Sequence, residues 1–202
     1  MDKAVWGARI GLAGALAGAL LAASCGTLTR EGNAPSYLIL TNLQASRGGA
    51  NAGTFGSVLF SDVRTVVDGV SSTFADLGQA SFQLALKDPG PSGSPNSPTT
   101  NNAITLTQYH VQYMRSDGRN VQGVDVPWAF DGGLTTTIAS TGSVSFTLVR
   151  NQAKDEAPLQ ALLFNNIPLT VTAQVTFYGH DQTGREVSVS GNIEITFADY
   201  GD

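Results

Sequence analysis

The sequence predicts an all-β chain folded as an antiparallel two-sheet sandwich. Three observations carry that expectation. In "LTVTAQVTFYG", Leu169, Val171, Ala173, Val175 and Phe177 alternate with Thr170, Thr172, Gln174 and Thr176. In "EVSVSGNIEITF", Val187, Val189, Ile193, Ile195 and Phe197 alternate with Ser188, Ser190, Asn192, Glu194 and Thr196, and "GHDQTGR" joins the two as a hairpin. A period of two puts one face in a core and the other in water, whereas buried parallel strands read as continuous apolar runs. Finally, turn residues recur between short apolar segments along the body, and only one stretch has helical character.

Earlier elements follow in order. "YLILTNLQA" (Tyr37 to Ala45) is a strand and "RGGANAGTFG" (Arg47 to Gly56) a loop. Between Ser57 and Gln79, β-branched runs are broken by turn residues, which reads as short edge strands. "ASFQLALKD" (Ala80 to Asp88) alternates, with Phe82, Leu84 and Leu86 on one side. "PGPSGSPNSPTTNN" (Pro89 to Asn102) holds four of the eight prolines among Ser, Thr, Gly and Asn. It buries too little apolar surface to repay ordering, and is expected to be a mobile insertion. In "AITLTQYHVQYMR" (Ala103 to Arg115) the apolar parity changes from Ile104 and Leu106 to Tyr109, Val111 and Tyr113. An extra residue near Thr107–Gln108, a β-bulge, produces that switch.

"SDGRN" supplies the next turn. "VDVPWAF" (Val124 to Phe130) is expected to be an edge segment, because Pro127 has no N–H to donate to a ladder. "SVSFTLVR" (Ser143 to Arg150) alternates with Val144, Phe146 and Leu148 inward. In "AKDEAPLQALLFNN" (Ala153 to Asn166), acidic residues precede Pro158, and Leu159, Leu162 and Leu163 fall on one side, the pattern of a short helical crossover.

The N-terminus is of a different kind. "MDKAVWGAR" carries Lys3 and Arg9, and Ile10 to Ser24 is uncharged and rich in Ala, Leu and Gly. A basic start, an apolar stretch and small residues before a cut site make a secretory signal peptide, here residues 1–24. Ala22, Ala23 and Ser24 precede Cys25, the only cysteine. This resembles the lipobox of bacterial lipoproteins, although Ala22 stands where that family usually has Leu. The resemblance implies a diacylglyceryl group on the Cys25 thiol, cleavage before Cys25, and membrane attachment through several acyl chains, which together hold firmly where one holds marginally. Gly26 in place of the family's inner-membrane Asp implies outer-membrane sorting where such a membrane exists. An uncleaved anchor over Ile10–Thr29, about the 20 residues a span needs, and simple secretion are the competing readings. Residues 25–36 ("CGTLTREGNAPS") then read as a lipidated cysteine and tether, and residues 37–202 as one domain with its insertion at 89–102.

The body resembles immunoglobulin-like and fibronectin type III domains in "YHVQYMRSDGRNV" and in the closing hairpin. That likeness is at the level of fold. It lacks the Cys–Trp–Cys core of antibody domains, and fold alone does not give function.

Charged residues are 13% of the chain against a usual ~25%. Loss of Lys3, Arg9 and Asp2 with the leader takes the formal charge from −5 to −6. Without a basic cluster, nucleic-acid binding is excluded as an expectation. The two histidines, His110 and His180, have no Ser and Asp in triad order, so no catalytic residue and no enzyme is expected. Asp62, Asp68, Asp76, Asp117, Asp131, Asp181 and Asp199 recur near turns. Loops at one sandwich end could ligate calcium with them, but no Asp-x-Asp-x-Asp-Gly run exists and Asp also bonds turn backbone directly. No metal ligand and no cofactor is therefore assigned. Tyr109, Trp128 and Phe130 are candidates for an exposed aromatic surface taking a glycan or protein; core packing is the weightier reading.

The expectation is a lipid-anchored cell-envelope protein with a non-catalytic structural or interaction sandwich. The alternative is an envelope module that binds glycan or calcium through loops at one end.

Overall fold

The computed structural model describes residues 34–49 and 52–201 of the chain. The signal segment, Cys25 and the tether up to residue 33 lie outside the described residues. The architecture is an all-β sandwich. Strands β1 (Ser36–Ser46), β5 (Asp76–Leu86) and β8 (Thr141–Val149) form a three-stranded sheet in the order β1-β5-β8. Strands β2 (Val58–Asp62), β6 (Ile104–Met114), β7 (Phe130–Ile138), β9 (Leu169–Asp181) and β10 (Glu186–Ala198) form a five-stranded sheet in the order β2-β10-β9-β6-β7. Strands β3 (Thr65–Val67) and β4 (Val70–Ser72) make a separate small hairpin. Every pairing of these strands is antiparallel except that of β2 with β10.

The alternation seen in the last hairpin is the reason for the core. Val171, Ala173, Val175, Phe177, Ile193, Ile195 and Phe197 are all buried, while their polar neighbours face out. Phe177 sits at the centre. Its ring meets Phe82 of β5 at 5.1 Å and Phe146 of β8 at 5.2 Å, both edge to face, so it ties the two sheets together. Two tyrosines bridge the layers with polar handles. The Tyr113 hydroxyl donates to the Leu148 carbonyl at 2.7 Å, and the Tyr109 hydroxyl accepts from the Thr147 N–H at 3.3 Å. Burial pushes the Tyr113 phenol far above its ordinary range, so it acts as a donor and not as an anion.

Against β9 the register of β6 shifts between Leu106 and Gln108, which leaves Thr107 as the extra residue; against β7 it shifts the other way, with Leu134 and Thr135 both opposite Thr107. Ile104 and Leu106 are buried before it, and Tyr109, Val111 and Tyr113 after it. The parity switch read from the sequence is this bulge.

Three segments differ from expectation. Of the segment Val124–Phe130, only Phe130 is in a strand: residues 124–129 belong to a loop closed by its own hydrogen bonds, Gly123 N–H to the Val126 carbonyl and Asp125 N–H to the Val121 carbonyl, both 2.8 Å. The edge strand is β7, which starts at Phe130 and whose Gly132, Gly133 and threonines give little apolar alternation. Strand β5 begins at Asp76 rather than Ala80. The expected helical crossover is two pieces, a single turn α1 (Asn151–Lys154) and a 3-10 turn over Gln160–Phe164. Leu159 and Leu162 still point into the core, but neither piece is long enough to be stable alone and both rest on packing.

The strand directions give the sandwich two distinct ends. The β9–β10 turn, the 87–103 connection and the Ala139–Ser140 turn share one, the hairpin end. The chain arrives there: Ala34 and Ser36 are buried, the Lys87 N–H donates to the Pro35 carbonyl at 3.0 Å, and the Ser36 hydroxyl donates to the Asn102 carbonyl at 2.7 Å. Ala34, Pro35 and Ser36, assigned to the tether from the sequence, are thus part of the body. Loop residues 47–49 and 52–57, the loops 63–75, 115–129 and 150–168, and the segment 199–201 share the other, far end.

Candidate functional site

The outer face of the five-stranded sheet carries a shallow concavity of about 770 Å³, lined mainly by β6, β9 and β10. The bulge of β6 lies within its lining. Thr107 pushes β6 out of register opposite Gly179, where any Cβ would collide with the Thr105 carbonyl. A glycine is required at that point of closest approach.

Strand register fixes the side chains into rows. Gln108, Tyr178 and Ser188 are direct cross-strand neighbours, with the Tyr178 ring 42% exposed between the other two. On the far side lie His110, Thr176 and Ser190, with Asp131 of β7 beyond His110. Toward the hairpin lie Thr105, His180 and Glu186. The His110 Nδ1 and Asp131 Oδ1 are 2.8 Å apart in a partly exposed pair. An exposed aromatic ring thus stands inside a frame of amide, hydroxyl, imidazole and carboxylate groups.

The hairpin that forms one wall is held by Asp181. This residue is buried, and its Oδ1 accepts from the Thr183 N–H at 2.8 Å, the Thr183 hydroxyl at 2.7 Å and the Arg185 N–H at 2.9 Å. Burial pushes the carboxyl upward, but these donors outweigh it and hold Asp181 below the usual carboxylate range. Its Oδ2 has the Arg185 guanidinium 3.9 Å away and no hydrogen bond.

A second polar cluster is internal. Lys154 of α1 meets Asp76 of β5, which also accepts from the Ser61 hydroxyl at 2.6 Å and the Gly48 N–H at 2.9 Å. Asp62 nearby in the chain accepts from the Tyr200 N–H at 3.1 Å and the Thr65 hydroxyl at 3.2 Å. Both carboxylates are closed off from solvent and serve the far end as structural anchors. The sequence reading placed Asp62 and Asp76 near turns; they lie at strand ends, in the interior.

The far end is also where apolar surface collects. Among the described residues, every large apolar side chain more than half exposed lies in the far half: Phe60, Val70, Val121, Val124, Trp128, Phe164 and Ile167. Phe164 is 90% exposed.

The proposed aromatic surface does not assemble. Tyr109 is 5% exposed and packs in the core against Phe146 at 5.1 Å. Phe130 is half-buried, edge to face with Tyr109 at 6.2 Å and with the Arg150 guanidinium 4.8 Å from its ring centre. Of the three, Trp128 alone is exposed. Large aromatics at inward parity supply core area, and Tyr109 follows that rule. His110 and His180, considered singly in the sequence, line the same concavity. Tyr178, not among the candidates named from the sequence, is marked there by a signal: an aromatic at the outward parity of a Thr- and Gln-bearing strand. Among the described residues no three His, Cys, Asp or Glu side chains gather as a metal-binding group, and no helix is long and apolar enough to cross a membrane. Cys25 lies outside the described residues. No protein-family model matches the chain, and no curated protein sequence does.

Proposed function

We propose that this chain is a lipid-anchored cell-envelope protein whose immunoglobulin-like sandwich acts as a non-catalytic interaction module. One observation carries the reading: the chain enters the body at the hairpin end, at Ala34, and the exposed apolar side chains collect at the opposite end. A body tethered through residues 26–33 faces its own membrane with the hairpin end and offers Trp128, Val124, Phe164 and Ile167 outward. Exposed large apolar side chains gathered at one end of a domain are a mark of contact with a partner.

The strand order supports the immunoglobulin-like assignment. A three-stranded sheet β1-β5-β8 faces a sheet in which β10, β9, β6 and β7 are neighbours, with β2 added in parallel at the β10 edge. Read as A-B-E against G-F-C-C′, this order is compatible with such sandwiches. The insertion 89–102 extends from the hairpin end as a mobile loop in this reading, supported by the exposure of every residue from 91 to 100. The small residues before Cys25 support lipidation, and Gly26 supports outer-membrane sorting in a cell that has one.

Metabolic labelling with a palmitate analogue tests the anchor. Incorporation by the full chain and its loss in Cys25→Ala are expected. Equal labelling of both proteins refutes the anchor.

A further inference from the structure

We propose that the concavity on the outer face of the five-stranded sheet binds a pyranose oligosaccharide, uncharged or bearing an amino group, with one sugar ring stacked on Tyr178. The ring is the only exposed Phe, Tyr or Trp lining the depression and is bordered on both sides by hydrogen-bonding side chains, Gln108 and Ser188. A pyranose has the matching anatomy, with an apolar C–H face and a rim of hydroxyl groups. Its C–H edges complement the negative face of an aromatic ring, and its hydroxyls both donate and accept, as a frame of amide, hydroxyl and carboxylate requires. The volume falls within the ~300–1,000 Å³ of small-molecule sites.

Charge chooses among sugars. Asp131 and Glu186 present carboxylates to the depression, and no Lys or Arg lines it. Anionic sugars and phosphates are repelled, and neutral or amino sugars are admitted. A lipid or helical peptide needs a continuous apolar trough, which a single tyrosine among polar side chains does not provide. The fit is also rigid: the site lies on three central strands of the sheet, so little ordering is needed on binding.

Saturation-transfer NMR on the full chain in detergent tests the site. The probes are β-1,4-linked tetramers of glucose, N-acetylglucosamine and glucosamine, with a galacturonic acid tetramer as the anionic arm. Transfer to ring C–H protons of at least one uncharged or amino tetramer below about 10 mM is expected, with none to the anionic one. Tyr178→Phe keeps the ring and retains binding; Tyr178→Ala weakens it at least tenfold; Ser188→Arg, an exposed change beside the ring, blocks it without touching the core. Tyr37→Ala, on the other sheet, leaves it unchanged. Absence of transfer to all three tetramers, preference for the anionic one, or undiminished binding in both Tyr178→Ala and Ser188→Arg overturns the proposal. Cys25→Ala is expected to bind normally, so the anchor and this site fail independently.

Discussion

Lys154 Nζ stands 2.9 Å from Asp76 Oδ1, and neither side chain reaches solvent. The pair joins the turn after β8 to the first residue of β5, 78 positions away in sequence. Removing one partner of such a pair leaves an uncompensated charge in the interior. Lys154→Met is therefore expected to cost about 3–5 kcal/mol, read from urea unfolding. Adding Asp76→Asn removes the stranded charge, keeps an oxygen to accept the Gly48 N–H, and puts an amide N–H where the Ser61 hydroxyl oxygen can accept it. The double variant is expected to be more stable than Lys154→Met alone.

The glycine pair in β7 separates two roles. A Cβ at Gly132 collides with the Tyr109 ring, while one at Gly133 meets nothing within 4 Å. Gly132→Ala is expected to destabilise by about 1–3 kcal/mol through overpacking. Gly133→Ala should stay within about 0.5 kcal/mol of the parent. Thermal melts of the two variants side by side provide the check.

Two phenylalanines mark the extremes of burial. Phe177 is fully buried between the sheets and Phe164 is almost fully exposed. Phe177→Ala is expected to lose about 3–5 kcal/mol, since the ring's contacts to Phe82 and Phe146 go with it. Phe164→Ala is expected to leave stability unchanged within about 0.5 kcal/mol. Urea unfolding curves of both variants check the contrast. If the far end is a contact surface, the second substitution weakens that contact instead.

Acid should loosen the β9–β10 hairpin through Asp181. Its carboxyl is held below the usual range in the folded protein. The stabilisation is therefore complete above the ordinary carboxylate pKa and is lost as pH falls through that value toward the folded one. Unfolding midpoints measured from about pH 6 down to about pH 2 should drop along this limb, and Asp181→Asn should flatten part of the drop. Asp117 is also held low, by the Arg115 guanidinium first and by Arg119. It is exposed, so solvent screens its contribution.

What the sequence conveyed depended on how each residue signals its place. Strands β9 and β10 were legible because their apolar side chains keep one parity along thirteen residues, with glycine at Gly179 and Gly191, and the bulge at Thr107 because the apolar parity of β6 switches there. Strand β7 was not, because its inward Gly132 is glycine only to admit the Tyr109 ring, a contact between strands that local pattern does not encode. Asp76 and Lys154 were invisible as a pair for the same reason. The concavity was half legible: both histidines were noted, but their common position depends on the register of β6 against β9. Tyr178 was readable in principle, as a ring at a water-facing parity.

Ala34 and Gly201 stand at opposite ends of the strands, so strand length sets the distance between them. Strands of thirteen residues rise about 3.3 Å per residue, so the two points are separated by roughly 40 Å. A reporter joined beyond Gly201 would stand off from Ala34 by a distance that the rigid strands, and not linker slack, determine.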